Sequence, residues 1–139
     1  MVKYLFDTNI LSELRKKERC DPNVNRWFAG IDDVSIHLSV LVTGEIRKGI
    51  ELKRTKDPAQ ALALEQWLAK IEAHYCDRIF LLDAGICDIW GKLNAIRPLP
   101  VIDSLLAATS IQHDLTLVTR NVSDVENTGV KLLNPFEPQ

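Results

Sequence analysis

The chain has 139 residues, 46% hydrophobic and 26% charged, with only 6 Gly and 6 Pro; this fits one folded domain spanning residues 1–139 and excludes disordered, collagen-like and coiled-coil compositions. Its 17 Lys and Arg against 19 Asp and Glu give a net charge of −2, so no global positive field gathers nucleic acid, and any such contact needs a local basic patch. Cys20, Cys76 and Cys87 lack CxxC spacing and a nearby His pair, which argues against a disulfide framework or zinc site and predicts reduced, mostly buried thiols.

Val2 to Phe6 predicts a short strand, and no basic, apolar and small-residue leader pattern precedes it. Asp7-Thr8-Asn9 ends that strand and caps a helix bearing Ile10, Leu11 and Leu14. Asp21-Pro22 starts a second helix, with Val24, Trp27 and Phe28 on one face. Val34, Ile36 and Leu38 alternate with Ser35, His37 and Ser39, a strand period, before Val42, Ile46 and Ile50 switch to a helical one with Ser39 as its cap. Asp57-Pro58 opens a long helix with a stripe of Leu64, Trp67, Leu68, Ile71 and Tyr75. Ile79 to Leu82 reads as a short strand or buried connection, and Asp83 caps a helix with Ile86, Ile89, Trp90, Leu93 and Ile96 on one face.

After Pro98 and Pro100, a helix runs from about Ile102 to His113, followed by strands at Leu115–Thr119 and Val130–Leu133. Asn127-Thr128-Gly129 forms a tight turn, and Phe136 docks the tail. Strands separated by helices imply βαβ units and a mostly parallel sheet covered on both faces. No apolar run approaches the roughly 18 residues a membrane span needs, so a soluble, cytoplasmic protein is expected.

The chain carries no GxSxG elbow, phosphate-binding loop or GxGxxG fingerprint, and His37, His74 and His113 lack ligand spacing. Its carboxylates are more informative. Asp7 ends the first strand, where an open α/β sheet places its ligands, although it would also serve as a helix cap. Glu45 lies on the apolar stripe of its own helix, three residues after Val42, where a carboxylate is costly without a positive partner. Asp103 has Leu106, Ala107 and Ser110 as helical neighbours, and it too would serve as an N-cap. Asn121 and Asp124 follow the fourth strand, as site groups or as ordinary turn residues. In a parallel sheet these segments converge on one edge, and oxygen ligands without His or Cys suit Mg2+ or Mn2+. A metal so held can activate water for attack on a phosphodiester.

Four blocks, Phe6-Asp7-Thr8-Asn9, Ser39 to Gly49, Val101 to Thr109 and Leu117 to Asn121, resemble the PIN-domain family in the family's order, and VapC-type toxins of toxin–antitoxin modules in particular. The resemblance implies a three-layer α/β/α sandwich and a Mg2+-dependent endoribonuclease that cuts tRNA or rRNA and blocks translation. It also implies a homodimer and a small cognate antitoxin of VapB type covering the site. By position, Asp7, Glu45 and Asp103 would be the core acids, with Asp7 and Asp103 as direct ligands, Thr8 and Asn9 supporting Asp7, and Thr119 lining the site. The chain departs from many relatives at Asn121, where they carry Asp after a Thr-Arg pair; Asp124 lies three residues later.

Phosphate contact would fall to Arg15, Lys16, Lys17 and Arg19 after the first helix, to Arg47, Lys48, Lys53, Arg54 and Lys56 after Glu45, and to Arg120. Solvated helix ends are the plainer account of any one of them. An aspartyl phosphotransfer enzyme is a weaker alternative, because Asn9 occupies the place of its second acid. A catalytically weak PIN-like module that binds RNA or a protein partner is the non-enzymatic alternative. The stripe from Leu64 to Tyr75 and the helix carrying Ile86 to Trp90 serve either the core or a dimer or antitoxin surface.

Overall fold

The computed structural model, which describes residues 1–139, contains one five-stranded sheet: β1 (Tyr4–Phe6), β2 (Ile36–Ser39), β3 (Ile79–Phe80), β4 (Thr116–Val118) and β5 (Lys131–Leu133). Its order is β3-β2-β1-β4-β5, and every pairing is parallel, with Tyr4 opposite both Ile36 and Thr116. Seven helices connect and flank the strands: α1 (Thr8–Arg15), α2 (Pro22–Ala29), α3 (Val40–Arg54), α4 (Pro58–His74), α5 (Ala84–Ile96), α6 (Val101–His113) and α7 (Val122–Val125). Successive strand side chains point to opposite faces, and Leu5 and Phe6 are both wholly buried. The central strand is therefore covered on both sides, as in a PIN-like α/β/α sandwich.

Helix starts follow local chemistry. Asp21 accepts from the backbone N–H of Asn23 and Val24, with Pro22 at the first helical position. Ser39 accepts from Leu41, Asp57 from Gln60 and Asp83 from Ile86. Each cap satisfies donors that have no partner inside the helix, typically contributing about 1 kcal/mol. The core joins Leu5, Ile36, Leu38 and Leu117 of the sheet to Ile10, Val42, Ile50, Leu68 and Leu106 of the helices, where burial of each large side chain contributes about 1.5–3 kcal/mol.

Several expected boundaries move. β1 begins at Tyr4, leaving Val2 exposed, and Val34 lies in a 3₁₀ turn at Asp33–Ser35 that precedes β2. β3 ends at Phe80, so Leu81 and Leu82 are exposed loop residues. Ile96, placed by periodicity on the buried face of α5, is the terminal residue of that helix and 83% exposed. Of the three thiols only Cys20 is buried, while Cys76 and Cys87 face solvent. The single turn α7 was not expected, since Val122-Ser-Asp-Val125 is too short to show a period. The turn after it has Asn127 and Gly129 at φ of 65° and 87°, a region in which Asn and Gly are the least strained residues. No helix is long and apolar enough to cross a membrane.

Candidate active site

The chain lays β2 and β3 on one side of β1 and then returns to lay β4 and β5 on the other. Strand order reverses between β1 and β4, and the crevice outside their carboxyl ends is where open α/β sheets bind ligands. Asp7 and Thr119 are the first residues beyond these two strands, and Asp7 N–H donates to Val118 O at 3.0 Å. Asp7 is buried, with Oδ1 accepting from Thr8 N–H at 2.6 Å and Oδ2 accepting from the Thr119 hydroxyl at 2.7 Å. Burial raises its pKa, the hydrogen bonds from Thr119 and Thr8 pull against that rise, and the charge of Glu45 adds to it.

Two helices bring the other acids to this edge. Glu45 on α3 is half-buried, and its Oε1 accepts from the Thr8 hydroxyl at 2.6 Å, which ties α3 to the start of α1. Asp103 stands third in α6, with Pro100 at the cap position, so the capping role for Asp103 does not hold. Its carboxyl is pushed up to about 6 by burial, then by the charges of Asp7 and Asp124, a hydrogen bond with Asp124, and the charge of Glu45. Asp7, Glu45 and Asp103 thus feel one another across a cleft of about 690 Å³, which Thr8, Asn9 and Asn121 also line.

The positions after β4 divide their roles. Asn121 reaches the cleft wall, its N–H donating to the Thr119 hydroxyl oxygen at 3.0 Å. Asp124, carried back by α7, meets Asp103 without lining the cleft. Thr8 supports Asp7 through its backbone, whereas Asn9 makes no hydrogen bond to Asp7, and its Oδ1 is a buried acceptor without a donor.

None of Asp7, Glu45, Asp103 and Asp124 belongs to an ion pair. As the side chains stand, no group of three His, Cys, Asp or Glu is arranged to hold a metal ion. The donor set nonetheless has the chemistry of a hard divalent cation site: carboxylate and amide oxygens without His or Cys, with a charge repulsion that such a cation would offset.

Sequence reasoning missed Glu13. It is 8% exposed at the cleft wall, with Oε2 accepting from Asp21 N–H at 2.8 Å and Oε1 accepting from Lys16 Nζ at 2.9 Å. Glu13 lies three residues after buried Ile10, the same anomaly that marks Glu45.

The basic residues separate. Lys16 and Arg120 line the cleft, while Lys48 lines an adjoining groove with Val40, Leu41 and Ile102. Arg47 and Arg54 both pair with Glu51 and with Glu65 of α4, so they join helices rather than stand free. Arg15 lies over the Trp67 ring, and Lys17 occupies a 3₁₀ turn away from the cleft lining. His37 and His113 each stack on Phe80, and His74 meets Asp33.

A profile of the PIN domain matches residues 4–125. The chain is 26% identical over 141 residues to toxin FitB of Neisseria gonorrhoeae, spanning 95% of this chain and 97% of that protein. It is 24% identical over 139 residues to VapC ribonuclease Y4jK of Sinorhizobium fredii, spanning 96% and 98%. In fold it is similar to a chain of the FitAcB complex from Neisseria gonorrhoeae, with a TM-score of 0.86 at 24% identity over 96% of this chain and 99% of that one. It is also similar to a chain of a DNA-bound VapBC complex from Salmonella typhimurium, with a TM-score of 0.68 at 22% identity over 97% and 99%.

Proposed function

The chain belongs to the PIN-domain family, and from that membership together with the acidic cleft we propose that it is the toxin of a VapBC- or FitAB-like toxin–antitoxin pair, acting as a metal-dependent endoribonuclease. The observation that carries this reading is the convergence of Asp7, Glu45 and Asp103 on one cleft with no basic partner for any of them. FitB and VapC are named as a toxin and a ribonuclease, and the solved relatives FitAcB and VapBC are complexes. They support a small VapB-type antitoxin as partner here, acting on a toxin that works as a homodimer in the cytoplasm. The substrate class is tRNA or rRNA, and the outcome is inhibited translation.

Asp7 and Asp103, with Glu45 and the Asn121 amide oxygen, would hold Mg2+ or Mn2+, which supplies an acidified water and counter-charge for phosphoryl oxygens. Thr119 and the Thr8 N–H fix both oxygens of Asp7, so that side chain needs no reorganisation on binding. The Thr8 hydroxyl engages Glu45 Oε1, leaving Oε2 as the oxygen available to the ion. Asp124 holds the outer side of Asp103, and Lys16 and Arg120 supply positive charge for the substrate backbone.

The test is cleavage of total RNA, with fragment ends mapped by sequencing, using wild type and Asp103→Asn in Mg2+ and in EDTA. Discrete cuts confined to wild type with metal support the nuclease. A folded wild type that leaves RNA intact in Mg2+ and Mn2+ favours a second reading, a module that binds RNA or a partner without cutting.

A further inference from the structure

Arg120 stands apart from the other basic residues near the site. It is exposed, lines the acidic cleft and takes part in none of the ion pairs of the chain. What holds it is an aromatic ring, because its guanidinium carbon lies 4.4 Å from the centroid of Phe136. That distance falls within the roughly 6 Å over which a cation is attracted to a ring face. The ring is itself fixed: Phe136 packs against the core, its N–H donates to Asn134 Oδ1 at 3.0 Å, and its carbonyl accepts from Asn23 Nδ2 of α2 at 2.8 Å. Phe136 lies outside residues 4–125, the part matched by the family profile.

An arginine on a face of carboxylates would ordinarily fold over onto one of them and lose its use as an anion ligand. Stacking on Phe136 leaves all five N–H donors of Arg120 unspent while limiting the rotamers it visits, which lowers the entropy lost when a phosphate binds. We propose that Phe136 is a positioning residue for RNA binding: its ring holds Arg120 at the cleft so that the guanidinium takes a backbone phosphate next to the scissile one. The proposal rests on the nuclease reading for its substrate.

The experiment measures binding of a fluorescent single-stranded RNA to metal-free protein across a salt series, together with kcat and KM for cleavage in Mg2+. The variants are Arg120→Gln, Phe136→Leu, Phe136→Trp and the double variant of Arg120→Gln with Phe136→Leu, each checked for an unchanged far-UV spectrum. Arg120→Gln lowers the slope of log affinity against log salt by about 0.7, the loss of one contact on a single strand. Phe136→Leu, which keeps an apolar side chain and removes the ring, raises Kd and KM about two- to five-fold with kcat unchanged. Phe136→Trp restores wild-type values, and Phe136→Leu has no further effect once Arg120 is Gln, because the ring acts through the arginine.

An equal loss from Phe136→Leu in both backgrounds, a loss in kcat rather than KM, or no loss at all overturns the proposal. Failure to cleave with binding and coupling intact counts against the nuclease reading alone. A wild type that binds no RNA overturns both.

Discussion

The hydroxyl of Thr119 donates to Asp7 Oδ2 at 2.7 Å, across 112 residues of sequence and between the ends of neighbouring parallel strands. This bond and Thr8 N–H occupy both oxygens of a carboxylate that is 4% exposed. Replacing Thr119 with Val keeps the shape and removes the donor, leaving a buried acceptor short of one partner. The expected cost is about 1–3 kcal/mol of stability, measured by urea unfolding in EDTA. The pKa of Asp7 rises further because one of the two hydrogen bonds opposing its rise is gone. An Asp7 titration unchanged by Thr119→Val would contradict this account.

Asp103 sets a pH dependence of definite sign in the metal-free protein. Its folded value of about 6 lies above its ordinary value of 3.8, so the folded chain binds more protons between them. The stability it contributes is complete below pH 3.8 and is lost as pH rises through 6. Asp103→Asn removes this loss, so the difference in Tm between variant and wild type in EDTA grows from pH 4 to pH 7. The comparison isolates the site from Glu13, Asp33 and Asp114, whose lowered values act in the opposite direction. A difference that stays flat with pH would remove the charge crowding.

Divalent cation should restore what ionisation takes away. Mg2+ added at pH 7.5 raises the Tm of wild type, EDTA reverses it, and the same addition at pH 4.5 has little effect because Asp103 is then protonated. Asp7→Asn abolishes the pH 7.5 response together with cleavage. A rise of equal size in Asp7→Asn would place the ion elsewhere.

Arg47 and Lys16 make a contrasting pair. Arg47 is tied to Glu51 and Glu65 on the surface, so Arg47→Gln leaves RNA affinity within about two-fold and Tm within about 3 °C, as exposed pairs generally do. Lys16 is paired as well, with Glu13, but unlike Arg47 it lines the cleft; on that placement Lys16→Gln weakens RNA binding and lowers its salt slope by about 0.7. Electrophoretic mobility shifts over a salt series separate the two, and equal losses would mean that the α3 surface also meets RNA.

Much of this site was readable before any coordinates. Asp7 follows a strand, and Glu45 and Asp103 sit among apolar helical neighbours, which marks them as unusual; the cap role open to Asp7 and Asp103 is what pattern alone leaves undecided. Glu13 carries the same signal, a carboxylate three residues after a buried apolar position of its own helix. The commitment of Arg47 and Arg54 was hidden because Glu65 reaches them across the α3–α4 hairpin, a tertiary relation that charge runs do not express. The sheet order was implied only as a parallel arrangement; the side of β1 on which β4 lies depends on packing of helices whose faces look alike in sequence.

The pairing of β1 with β4 also orders events in the life of the chain. Parallel partners this far apart in sequence form late, since the loop between them must close before any contact offsets its entropy. The bond from Thr119 to Asp7 therefore forms only once β4 has been made and has paired with β1. A chain that ends before β4 lacks Thr119, so Asp7 Oδ2 is without its hydroxyl donor.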